Sequence, residues 1–332
     1  MLLVIQIVVC VILVIFVGTW LSQSADILAE KTGLGRSWVG AILLAGATSL
    51  PELAVGISAV VVFNAPDLAA GGIFGSCLFN LFILALLDIF TGPSPLLQRA
   101  QISHALAAGL GSILLGVAAA GILLAQSNNN LIFGWVGSPS IVLIVLYLVS
   151  ARIIARFELR RRTEVLELEV VQYEHIKRQQ AFLIFATLSV AIVVLGVWLA
   201  SLGDRVATVT GLGQSFIGAL LLAATTSLPE VVAGWAAIRL NAVDLAVSNV
   251  FGSNIFNMAI LGVYDLAYFR GNLWSNVSSV HIFTAVVAMM MTSVAIVGLI
   301  YRAAHPSRLY ITWDGLALIL LYISGMYIIY RS

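Results

Sequence analysis

The sequence predicts an all-α polytopic membrane protein of ten transmembrane helices, laid out as two inverted five-helix repeats. Three observations carry this. Of 332 residues, 61% are hydrophobic and 9% charged, with a mean hydropathy of +1.08, whereas soluble domains are roughly a quarter charged. The apolar residues fall into runs of about twenty, the length that crosses a bilayer core. One long motif occurs twice, and an odd number of runs separates its copies.

Ten runs can be read, at roughly 2–22, 38–63, 68–90, 103–125, 131–154, 181–201, 215–239, 245–268, 281–302 and 310–330. The first lacks a basic leader and a small-residue cleavage site, so it reads as a helix rather than a signal peptide. Between the fifth and sixth lies RIIARFELRRRTEVLELEVVQYEHIKRQQ, residues 152–180. It holds most of the free charge and reads as a solvated, partly helical linker. The expected organisation is a first repeat over 1–154, a cytoplasmic linker over 155–180 and a second repeat over 181–332. That placement puts thirteen of the sixteen basic residues inside, leaving Arg205, Arg270 and Arg331 outside. The bias is the one cytoplasmic loops show, and it makes both termini extracellular. Cys10 and Cys77 both fall within spans and imply no disulfide framework.

The duplication is direct. GAILLAGATSLPEL (40–53) returns as GALLLAATTSLPEV (218–231), identical at ten of fourteen positions. Upstream, TGLGRSWVG pairs with TGLGQSFIG, and Asp26 with Asp204. Downstream, DLAAGGIFGSCLFN (67–80) pairs with DLAVSNVFGSNIFN (244–257), and Asp88 with Asp265. The offset of 178 residues spans five helices, so equivalent helices cross the membrane in opposite directions. Inverted repeats of this kind build secondary transporters, with sites near the midplane on interrupted helices.

Glu52 is the one charged side chain between Val39 and Phe63, and an intramembrane carboxylate needs a partner. Pro51 lacks an amide hydrogen and crowds the carbonyl four residues back, so it should release that of Ala47, and Pro229 that of Thr225. In lipid a freed carbonyl needs a cation, a water or a neighbouring helix. Each proline is followed by glutamate, Glu52 and Glu230. Together they offer four carboxylate oxygens to a divalent ion, and calcium takes six to eight hard oxygen ligands. Carbonyls near Thr48 and Thr226, with hydroxyls or water, would complete the shell. When the divalent ion leaves, two close carboxylates repel in a low dielectric and must be neutralised by monovalent cations or protons. Exchange follows from that requirement. The alternative use of each glutamate is as protonated, hydrogen-bonded helix glue.

Four residues separate Ser76 from Asn80, and Ser253 from Asn257, so each pair shares a helical face. These side chains serve either as neutral ligands or in interhelical packing. Gly75 and Gly252 permit close helix approach. Asp67, Asp244, Asp88 and Asp265 lie at span ends, where caps and solvated faces are the expected use. His104, His175, His281 and His305 have no metal-ligand spacing and receive no chemistry. No nucleophile and base pair is visible, so an enzyme is not expected.

The TSLPE motifs (48–52, 226–230) and GSxxFN motifs (75–80, 252–257) resemble those of the cation/calcium antiporter superfamily, in its sodium/calcium exchanger branch. The ten-span layout extends the likeness over the whole chain. The resemblance implies that the two motif regions, about 38–90 and 215–268, form a four-helix core, across which the first helix of each repeat slides. It implies calcium at Glu52, Glu230, Thr48 and Thr226. Sodium would use Ser49, Ser227, Ser76, Ser253, Asn80, Asn257 and carbonyls near Ala45 and Ala223. Ala47 and Thr225 stand where the family commonly has glycine, and Cys77 where the second repeat has Asn254. Asn257 leaves two core acids and favours potassium-independent exchange. The short linker matches prokaryotic-type members without a regulatory loop, in a plasma membrane. Sodium/calcium antiport is thus expected, exporting calcium, with proton/calcium antiport on the same fold as the alternative and a gated channel further off. The expected partners are Ca2+, Na+ and the bilayer, with no cofactor, no nucleic acid and a monomeric state.

Overall fold

A computed structural model describes residues 2–91, 95–127, 131–164, 175–210, 224–302 and 312–331. The first repeat comprises α1 (Leu2–Thr32), α2 (Arg36–Thr48), α3 (Leu50–Val61), α4 (Pro66–Phe90), α5 (His104–Gln126) and α6 (Ser138–Glu164). The second comprises α7 (Arg178–Thr210), α8 (Leu228–Arg239), α9 (Val243–Ala267), α10 (Val280–Tyr301) and α11 (Trp313–Arg331). Among the described residues, seven helices are long and apolar enough to cross a membrane, and α2 with α3 forms an eighth, broken span. The shorter apolar helix Trp313–Ile329 lies within α11. The first part of the expected 215–239 span lies outside the described residues.

Two helix ends differ from expectation for local reasons. The expected 131–154 span opens instead with a hairpin, Ile132–Phe133 paired with Val136–Gly137, turning at Gly134 with φ of 70°. Helix α6 starts after it and runs on to Glu164, into the charged segment, because its ELRRR stretch (158–162) is helix-forming as well as polar.

The helices divide into a core and a periphery. In α9, 89% of the central residues are buried, against 17% in α1, so α9 packs against protein on every side while α1 turns side chains such as Ile12 and Phe16 outward. Helix α9 contacts α2, α4, α5, α6 and α8. Close approach is written in glycine: a Cβ on Gly252 of α9 would stand 2.2 Å from the Ala41 carbonyl oxygen of α2. Helices α1 and α7 lie against each other and each crosses the opposite repeat at a glycine. Gly18 meets Val232 of α8, and its equivalent Gly196 meets Pro51 of α3.

The four duplicated aspartates are ties between the repeats, which corrects their expected use as caps and solvated faces, although Asp67 is also 55% exposed. Asp265 is fully buried and accepts from Gly137 N (2.7 Å), Ser140 Oγ (2.5 Å) and Leu273 N (2.8 Å), holding the start of α6 against α9. Its equivalent Asp88 accepts from Leu96 N (2.6 Å) and Thr312 Oγ1 (2.8 Å), holding the start of α11. At the other ends of the same helices, Asp244 meets His104 Nε2 at 2.8 Å and Asp67 meets His281 Nε2 at 3.1 Å. Both histidines are therefore structural. The physical reason is cost: a carboxylate at the rim of a buried helix is better satisfied by amides of an incoming loop than left unpaired. Asp265→Ala strips three donors of their acceptor, and by the usual penalty for orphaned buried groups it should cost about 3 kcal/mol or more. Thermal unfolding in detergent checks this; a midpoint equal to wild type would refute the tie.

Candidate functional site

The broken span makes the site. Helix α2 carries a π-helical stretch at Val39–Leu44, a widened turn often found at functional positions. It ends at Thr48, and Ser49 leaves helical geometry with φ −93° and ψ 4°. Helix α3 begins at Leu50, bent 40° from α2. Pro51 thus falls in a first turn, where its missing amide hydrogen is tolerated, while Ala47's carbonyl loses its donor four residues on. Glu52 follows in the same turn, at the end of the helix dipole complementary to a carboxylate. The second repeat repeats the device: residues 224–226 are helical, Ser227 has φ −91° and ψ 8°, and α8 opens with Leu228, Pro229 and Glu230.

The two breaks lock together by exchanging serines. Ser49 Oγ donates to Glu230 Oε1 at 3.0 Å, and Ser227 Oγ donates to Glu52 Oε1 at 3.0 Å. Each carboxylate is thereby braced by the opposite repeat, and all four side chains are buried. Ser76 Oγ lies 3.3 Å from Ser227 Oγ. Thr226 faces Glu52, and Thr48 faces Glu230. The Thr48 hydroxyl turns back to the carbonyls of Leu44 (3.1 Å) and Ala45 (3.3 Å), leaving its lone pairs for another partner. Of the expected site residues, Ala223 lies outside the described ones.

Five buried oxygens here have no protein partner: Glu52 Oε2, Glu230 Oε2, Asn80 Oδ1, Ser253 Oγ and Asn257 Oδ1. A carboxylate oxygen held out of water without a donor is costly, and a cation is the group that satisfies several acceptors at once. Among the described residues no cluster of three or more His, Cys, Asp or Glu could hold a metal. The donor set is therefore two carboxylates plus neutral oxygens, which suits hard cations such as Ca2+ and Na+ rather than zinc or copper.

Sequence reasoning missed three contributors. Asn254 accepts from Asn80 Nδ2 at 3.1 Å and donates to the Cys77 carbonyl at 3.2 Å, so the position where the repeats differ pins α4 to α9. Tyr264 donates to the Glu52 carbonyl at 2.6 Å, and its equivalent is Leu87. Asn249, equivalent to Gly72, is fully buried with neither amide atom partnered. The signal in all three was a departure between aligned repeats.

Among the described residues the two sides of the site differ. A cavity of about 40 Å³ runs from Glu52, Ser76 and Thr226 past Gly72 to Leu68, toward the loop after α3. Leu68 is 50% exposed, whereas its equivalent Leu245 is 0% exposed. Among the described residues a cavity reaches Glu52 between α3 and α4, whereas Leu245 is packed away at the matching place between α8 and α9.

A paired-carboxylate site at the crossing of two broken helices, in an inverted duplication, defines a secondary-active ion exchanger rather than an enzyme. Comparison with known proteins agrees. The family described as "Sodium/calcium exchanger protein" matches residues 2–155 and 180–331, and the chain belongs to that family, within the cation/calcium antiporter superfamily. It is 29% identical over 261 residues to the inner membrane protein YrbG of Escherichia coli, covering 75% of each chain. It is 24% identical over 317 residues to the membrane protein MJ0091 of Methanocaldococcus jannaschii, covering 94% of this chain and 93% of that one. The fold matches the sodium-calcium exchanger NCX_Mj, solved after a soak with sodium and without calcium, at a TM-score of 0.73, 20% identity and 98% coverage of both chains. It is an integral membrane cation antiporter.

Proposed function

We propose that the chain exchanges Na+ for Ca2+, sodium entering down its gradient and driving calcium out. The observation that carries this is the pair Glu52 and Glu230, each braced by the other repeat's serine and each left with one unpartnered oxygen. Two carboxylates cancel one divalent charge, and removal of that ion demands replacement cations. Calcium binds between Glu52 and Glu230 with Thr48 and Thr226. Sodium takes Ser49, Ser227, Ser76, Ser253, Asn80, Asn257 and the Ala45 and Ala223 carbonyls. A proton carrier would need few neutral oxygens, so Asn80, Asn257 and Ser253 favour sodium over protons.

Switching follows from the packing. The glycine crossings of α1 and α7 leave those helices smooth where they meet the broken spans, so they slide as a pair over the core. Both termini lie outside, which makes the side with the cavity extracellular. One chain supplies the whole site and acts as a monomer.

Calcium uptake into proteoliposomes loaded with sodium, with protons under an imposed pH gradient, or with neither tests the coupling. Uptake is expected only with internal sodium. Uptake driven by the pH gradient alone would sink the sodium reading.

A further inference from the structure

We propose that Asn249 is a further cation-coordinating residue: its amide oxygen takes the ion between the Glu52–Glu230 site and the face at residues 240–245 when that passage opens. This rests on the antiport reading above.

Asn249, Ser253 and Asn257 are spaced four apart on α9 and form one stripe leading from the site toward the helix's start at Val243. All three are buried, and Ser253 Oγ and both amide atoms of Asn249 and Asn257 lack partners. An amide fully removed from water without a hydrogen bond costs free energy, so a purely structural role is a poor account of Asn249. On α4 the equivalent stripe is Asn80, Ser76 and Gly72, and there Ser76 and Gly72 line the cavity. In an inverted duplication the second passage opens by the second repeat adopting the arrangement now held by the first. Asn249 then stands where Gly72 stands now, in the wall of a hydrated path, one turn beyond Ser253.

The two passages are consequently unequal. The first has no side chain at Gly72, and the second has an amide at that place. A neutral oxygen lining one path lowers the concentration of cation needed on that side and leaves the other side unaltered.

The test measures half-saturating calcium at each face in uniformly oriented proteoliposomes, using radioactive calcium, for the wild type, Asn249→Gly and Gly72→Asn. Asn249→Gly is expected to raise it about tenfold at the 240–245 face, with the opposite face within about a factor of two. No atom lies within 4 Å of a Cβ built on Gly72, so Gly72→Asn should fold, and it is expected to lower the value at the opposite face. It therefore carries the test if Asn249→Gly does not fold. Equal shifts at both faces, or none at either, in a wild type that transports calcium would overturn the role of Asn249 alone. A wild type that moves no calcium would overturn the antiport reading and this inference with it.

Discussion

Glu230→Gln is expected to abolish sodium-driven calcium exchange, and Glu52→Gln to do the same, while the protein still folds. Glutamine keeps the size of the side chain and one oxygen, so the bond from Ser49 Oγ at 3.0 Å survives. What changes is the second oxygen, now unpartnered, which becomes an NH2 donor facing a cation. One negative charge disappears as well. Removing one member of a buried charge pair costs about 3–5 kcal/mol, so calcium flux should fall at least about a hundredfold in either variant. Thermal midpoints in calcium-free buffer should stay near wild type, because the lost partner is the ion and not a protein group. Wild-type calcium flux in either variant would remove the carboxylate-pair site.

Gly252→Ala should have the second large effect, through packing. Replacing glycine by alanine inside an ordinary helix gains about 0.5–1 kcal/mol. Here the added methyl would stand 2.2 Å from the Ala41 carbonyl oxygen and 2.5 Å from its Cα. Both are backbone atoms, so no side-chain rotation relieves the clash, and α9 must move away from α2. Overpacking of this kind costs about 1–3 kcal/mol. It also displaces Ser253, the next residue, from the site. Calcium flux is expected to drop at least about tenfold, with a lower thermal midpoint. Gly109→Ala on α5 has no atom within 4 Å of the new methyl and serves as the control. If both variants behave alike, the close crossing of α9 and α2 is wrong.

Much of the site is legible in the sequence. Glu52 and Glu230 stand out because a carboxylate in an apolar run has few uses, and the repeated TSLPE context points both at one task. Pro51 was legible only in part. Read as a fault within a helix, it is the first turn of a new one, because Ser49 breaks the chain first. The aspartates at 67, 88, 244 and 265 looked like solvated ends, since nothing in their own neighbourhoods names a partner. Each takes at least one partner from the opposite repeat, such as Thr312, 224 residues away from Asp88.

The membrane class, the duplication and its inversion were determined by the sequence alone, because hydropathy and identity are one-dimensional properties that survive without knowing who touches whom. So were the acids, the prolines and the pair Ser253 and Asn257 on one face of α9. Only the tertiary structure decided that Ser49 serves Glu230 rather than Glu52, and that Ser227 serves Glu52. Within each motif the two choices are equivalent, and the antiparallel crossing of the breaks selects between them. Tertiary structure also decided which side of the site carries the cavity. Leu68 and Leu245 are the same residue in the same motif, yet one is half exposed and the other buried, because Leu245 sits where α9 crowds α2 at Gly40 while Leu68 borders the cavity.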